Sequence, residues 1–132
     1  MNGVEAEEML RALGTALEQQ GAEPVDIVVC GGMALILQGI VERRTRDIDP
    51  LGLVVEENGV PVLRNPFMGP DFQAAVERIG TVFGEGKHWL SFAARSLHDT
   101  KLPDDLIERA EVRRYGTRLT VRLCSRYDMI HL

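Results

Sequence analysis

The sequence predicts an α+β (α/β) fold, a mixed β-sheet flanked by helices, on three observations. "VDIVVC" at 25–30 is a continuous, β-branched apolar run, as in a strand covered on both faces. "TRLTVRLC" at 117–124 alternates Leu119, Val121 and Leu123 with Thr120 and Arg122, as in a strand with one buried face. Two stretches, 4–20 and 71–83, repeat apolar residues at helical spacing. The 132 residues make one domain, long enough to build a core without zinc or disulfides.

Taken in order, Ala6, Met9, Leu10, Leu13, Ala16 and Leu17 form the stripe of a first helix, and Gly21 is its stop. The strand 25–30 follows and breaks at Gly31 and Gly32. "MALILQGI" at 33–40 then reads as a short helix packed back on that strand. From Arg43 to Val55 the chain is expected to be extended. Asn58-Gly59 between "LGLVV" and "VPVL" is a hairpin signal, because both residues tolerate positive φ. Asp71 is the expected cap of a helix whose stripe is Phe72, Ala75, Val76, Ile79 and Val82, with Gly84 after it. "GEGKH" is a loop, and residues 89–98 fit neither period. "LPDDLIERA" reads as a short helix, and "EVRRY" with "TRLTVRLC" as a strand pair about Gly116. Ser125 and Asp128 have capping-box spacing, so a last helix starts there. The chain stops one or two turns into it, and the domain (1–132) is expected to lack further C-terminal helices.

Composition excludes several classes. A net charge of −5 argues against a domain whose whole surface binds nucleic acid. Aromatics are 5%, so the core must rest on Leu, Val, Ile and Ala. Cys30 and Cys124 form no C-x-x-C pair and are expected to be buried thiols in a reduced compartment. No apolar run reaches membrane-spanning length, and the acidic "MNGVEAEEML" is no signal peptide. The expected location is the cytoplasm, with no membrane partner.

The chemistry concentrates in "CGGMALILQGIVERRTRDID" at 30–49. A strand ending in Gly-Gly before a helix leaves backbone N–H groups facing outward, and without a Cβ an anion can approach them. The same turn also serves close packing alone. In extended chain, Arg43, Thr45, Asp47 and Asp49 share one side, with Ile48 opposite as an anchor. Two carboxylates about 7 Å apart along a strand repel unless a cation lies between them, and hard oxygen ligands suit Mg²⁺. The competing reading pairs both acids with neighbouring arginines at the surface. Glycine turn, short helix and paired acids together form the parts of a metal-assisted nucleotidyl-transfer site.

"VVCGGMALILQG…RRTRDID" resembles the core signature of the nucleotidyltransferase superfamily, most closely its AbiEii-like, minimal nucleotidyltransferase toxin-like branch. The resemblance implies an NTP held at Gly31, Gly32, Arg43 and Thr45. It implies Mg²⁺ (or Mn²⁺) held by Asp47 and Asp49, which would be the catalytic residues. Partners implied are an RNA, protein or small-molecule acceptor and, for a toxin, a cognate antitoxin. The sequence departs from the pattern where many members carry a third carboxylate. The matching strand, "TRLTVRL", has no acid, and Asp26 and Glu56 lie near other strands. The lysine that often follows the Asp-Met/Leu-Ile pattern would fall beyond Leu132. A non-catalytic nucleotide-binding or regulatory module is therefore the alternative, and an interaction domain with a purely structural glycine turn is a third.

Arg113, Arg114, Arg118, Arg122 and Arg126 are either a track for RNA or triphosphate or a solvated strand face. His88, His98 and His131 lack ligand spacing. Ser91, Ser96 and the cysteines lack the partners of a hydrolase nucleophile. Trp89 is expected in the core or a pocket wall.

Overall fold

The computed structural model of the chain describes residues 1–65, 69–92 and 102–130. Helix α1 (Gly3–Gln20) leads to β1 (Val25–Val29), α2 (Gly32–Leu37), β2 (Pro50–Glu57) and β3 (Val60–Arg64). Then come α3 (Pro70–Phe83), α4 (Leu106–Arg109), β4 (Glu111–Tyr115), β5 (Leu119–Leu123) and α5 (Arg126–Ile130). This is the expected order of elements. The strands form one mixed sheet, β3-β2-β1-β5-β4. β1 runs parallel to β5, and the other neighbours are antiparallel. The architecture is thus α+β, with a mixed sheet flanked by helices. No helix among the described residues is long and apolar enough to cross a membrane.

The central strands explain their own sequences. β1 and β5 pair in register from Val25 opposite Leu119 to Val29 opposite Leu123. Ile27, Val29, Leu119, Val121 and Leu123 therefore share one face and join the main core with α1, α2 and α3. Val28 and Cys124 belong to a smaller cluster with Leu51 and Leu106. All six predicted stripe residues of α1 are buried. Each leucine buried there contributes about 1.5–3 kcal/mol. Asn2 caps α1 through a full capping box, and Gly21 ends it in the left-handed conformation. Asn58 and Gly59 take φ of 54° and 77°, the pair of positive values a two-residue hairpin needs.

The structure corrects four expectations. First, Gly69 caps α3, not Asp71. Pro70 takes the first helical position, where its fixed φ fits and its missing N–H costs nothing, and Asp71 lies in the first turn. Second, Val82 is 72% exposed, because the last turn of α3 runs past the core. Third, regular strand begins only at Pro50. Residues 43–49 are irregular apart from one bridge, Ile48 to Leu90. Fourth, Cys30 and Cys124 are not free thiols but a disulfide, with Cα atoms 5.0 Å apart. Each is the residue after the last pair of the β1–β5 ladder, so the parallel register brings them together. Trp89 is core, 1% exposed. Ser96, His98 and His131 lie outside the described residues.

The β4–β5 turn is held to α1 by one carboxylate. Glu18 accepts from the Thr117 amide and from the Thr117 hydroxyl, the latter at 2.9 Å. The amide bond, then the hydroxyl, lowers its pKa below the ordinary 4.5. A depressed folded-state pKa stabilises the fold above the unfolded value, and that gain is lost as pH falls through the folded value. The Tm advantage of wild type over Glu18→Ala should therefore be present at pH 7 and close as pH drops below about 4.5. Thermal denaturation of both proteins between pH 7 and pH 2 checks it. An advantage that persists unchanged at the acid end would assign the effect to packing.

Candidate functional site

At the C-terminal end of β1 the chain turns through Gly31 at φ 76°, ψ −152°. Only glycine occupies that region readily, and a side chain there costs about 1–3 kcal/mol. α2 starts at once and has no side-chain cap. Its first N–H groups have no intrahelical acceptor and so suit a partner such as water or an anion. Arg43 lies across this turn, for a Cβ on Gly32 would collide with its Nη2. The second glycine thus makes room for a guanidinium, which adds a cation to a row of N–H donors.

The segment returning to the sheet completes the site. Cys30, Gly31, Gly32, Met33, Arg43, Thr45, Asp47, Asp49 and Leu51 line one cleft of about 520 Å³. All six sequence-selected site residues are in that lining, although 43–49 is not a regular strand. Alternation survives: Asp47 and Asp49 are exposed, while Ile48 between them is fully buried. On the opposite parity, Arg44 leaves the cleft and binds Glu5 of α1 at 2.9 Å. Thr45 is fixed by the N-terminus. Its N–H donates to the Met1 carbonyl at 2.9 Å, and the Met1 amine donates to the Thr45 carbonyl.

Sequence reasoning missed Cys30, Met33 and Leu51 as walls of the cleft. Their only signal is adjacency to Gly31, Gly32 and Pro50. It also left the third carboxylate unplaced. Asp26 is held by Arg122 through two bonds of 2.9 Å. Glu56 is exposed on the β2–β3 hairpin, opposite Pro61. Asp128 is buried against Arg109 and Ser125. None of these acids lines the cleft. Among the described residues, no group of three or more His, Cys, Asp or Glu is placed to hold a metal.

The basic run resolves into internal contacts. Arg113 binds Glu7 at 3.2 Å and Glu111 at 3.0 Å. Arg118 donates to the Ala22 carbonyl at 2.9 Å. With Arg122 held by Asp26, three of its five arginines serve the fold. Beside Arg113, Tyr115 donates to Glu7 at 3.0 Å; burial, and then that carboxylate, push the phenol up to about 12. A second hollow, of about 290 Å³, lies at the other end of β1, between Val25, Leu53 and Phe72. Its wall is mostly aliphatic, and it shares no residue with the cleft.

The crowding at Gly32 makes a specific prediction. In Gly32→Ala the new methyl meets the far end of a flexible side chain, so the fold survives and Arg43 swings away. Losing one charge-assisted contact to a phosphate costs about 1.5–3 kcal/mol, or roughly tenfold to a hundredfold in affinity. NTP titration by calorimetry, with circular dichroism as the check on folding, tests this. Unchanged affinity would mean that Arg43 makes no contact with an anion in this cleft.

A family model described as "Nucleotidyltransferase of unknown function (DUF6036)" matches residues 8–131 of the chain. Neither the curated proteins nor the solved structures yield a match.

Proposed function

The chain belongs to the DUF6036 family of nucleotidyltransferases of unknown function, and from that premise we propose a metal-dependent transferase that moves a nucleoside monophosphate from an NTP to a hydroxyl. The observation that carries the proposal is the single cleft lined by Gly31, Gly32, Arg43, Thr45, Asp47 and Asp49. The donor set fits the cofactor. Two exposed carboxylates at alternate positions are hard oxygen ligands, and Mg²⁺ is commonly held by one or two carboxylates together with substrate phosphates. Mg²⁺ (or Mn²⁺) would supply charge neutralisation at the attacking and leaving oxygens. The chain's own groups do the rest. The N–H groups after Gly31 and the Arg43 guanidinium bind the triphosphate tail. Thr45, anchored to Met1, donates from the cleft wall, and Ile48 keeps both carboxylates turned outward. The acceptor oxygen forms a bond to the α-phosphorus as the bond to pyrophosphate breaks, and the hydroxyl proton passes to solvent or a carboxylate.

The acceptor class is open to three chemistries: an RNA end, a protein hydroxyl or a small molecule. The Arg-x-Thr-x-Asp-x-Asp run supports the AbiEii-like branch, and a toxin role with a cognate antitoxin rests on that affiliation alone. NTP and Mg²⁺ as reagents support a cytoplasmic location. The disulfide persists there only if its reduction potential lies below that of the thiol pool.

A second reading is favoured by one observation, the lack of a third acid beside Asp47 and Asp49 among the described residues. In it the cleft binds nucleotide without turnover, as a regulatory module. One experiment separates the two. The protein is incubated with each labelled NTP, Mg²⁺ and candidate acceptors, and both label transfer and pyrophosphate are measured. Metal-dependent transfer supports the enzyme. Saturable binding without pyrophosphate release, whatever the acceptor, supports the module. No stabilisation of the fold by any nucleotide in excess would remove both.

A further inference from the structure

We propose that the segment Trp89–Ser91 positions the two aspartates, with Trp89 as the anchor. This rests on the reading of Asp47 and Asp49 as metal ligands. Both acids flank Ile48 in a stretch that belongs to no regular strand. The backbone of Ile48 is nonetheless held on both sides. Its N–H donates to the Trp89 carbonyl at 2.6 Å, and its carbonyl accepts from the Ser91 N–H at 3.1 Å. This is the parallel bridge between Ile48 and Leu90. It fixes the peptide planes on either side of Ile48, and hence the directions in which Asp47 and Asp49 leave the chain.

The clamp is itself anchored to a long helix. Trp89 is 1% exposed, and its indole N–H donates to the Val76 carbonyl of α3 at 2.7 Å. α3 accepts the ring closely because Gly80 has no side chain. A Cβ there would stand 2.6 Å from Trp89 Cδ1 and would collide with the Gly86 carbonyl. An unbroken contact path therefore runs from α3 through Trp89 to Ile48 and the two carboxylates. Groups that orient metal ligands without touching the metal typically change metal affinity 10–100-fold when removed. Trp89 and Ser91 meet that description, and neither lines the cleft.

Two variants loosen different parts of the clamp. Ser91→Pro removes the amide that donates to Ile48. Trp89→Phe keeps an aromatic ring and loses the bond to Val76. Leu17→Ala is the control, a fully buried residue of α1 beside the distant aliphatic hollow. Binding of Mn²⁺ alone is measured by the electron paramagnetic resonance of the free ion, with Asp47→Ala as background. In wild type, quenching of Trp89, the only tryptophan, should follow the same binding curve. Ser91→Pro and Trp89→Phe should each raise the Mn²⁺ dissociation constant about tenfold, while Leu17→Ala binds as wild type despite a lower Tm. Wild-type affinity in both clamp variants overturns the proposal. So does equal weakening in all three, which would be general loosening. Wild type binding no more Mn²⁺ than Asp47→Ala is a different failure, for it removes the metal-ligand reading and this inference with it.

Discussion

Replacing Asp47 by Asn is expected to lower nucleotidyl transfer by about a thousandfold, and Asp49→Asn to do the same. A metal ion held at the reacting phosphate supplies several kcal/mol of charge stabilisation. About 4 kcal/mol lost is a factor near a thousand, at 1.36 kcal/mol for each tenfold. The two carboxylates line one cleft on either side of a buried isoleucine and would act on the same ion or ion pair. Their losses should therefore not multiply, and the double variant should be little slower than either single one. Folding should be little affected. Asp47 is exposed, and substitutions at exposed positions usually change stability by no more than about 0.5 kcal/mol, so Tm should hold. Pyrophosphate release with and without chelator, together with a melting curve, tests both halves. Activity that survives in the double variant would sink the catalytic assignment, and a lower Tm in Asp47→Asn would give that residue a structural role.

The alternation around Ile48 was legible because it is a local property. An apolar residue between two acids has one low-energy arrangement wherever a core lies on one side. The same logic made the order of helices and strands readable from apolar spacing. What lay hidden was set by register and by distant partners. Nothing in "VDIVVC" and "TRLTVRLC" says that they are parallel neighbours, so Cys30 and Cys124 read as separate thiols. The arginine run read as either a track or a solvated strand face, because its partners Glu7 and Asp26 are far away in the chain. Asp71 lost its expected cap because Pro70 competes for the start of the same helix. The Trp89 clamp was invisible for a different reason. It grips Ile48 through main-chain groups, which every residue carries.

Reduction of the Cys30–Cys124 bond is the other large effect. The cysteines are 94 residues apart in sequence. On the chain-entropy account, closing so long a loop stabilises the fold by about 4–5 kcal/mol. For a domain of this size that is a fall in Tm of about 10–20 °C. The same geometry says where the effect must act. β1 and β5 are already paired along their length, and the Cys124 N–H donates to the Val29 carbonyl at 2.9 Å, one step past the ladder. Gln38 of the turn after α2 also donates to the Cys124 carbonyl, at 3.1 Å. The native strand ends are thus held without the sulfur bridge, and the bridge works mainly by restricting the unfolded chain. Melting with and without reductant, beside the Cys30→Ser, Cys124→Ser double variant, should give the full drop in Tm. NTP affinity below the melting range should stay within about twofold, well under the 1.4 kcal/mol of a tenfold change. A Tm that ignores reductant would mean that the unfolded chain gains nothing from the cross-link. A collapse of NTP affinity with Tm preserved would instead make the disulfide a support of the Gly31 turn, which begins at the next residue.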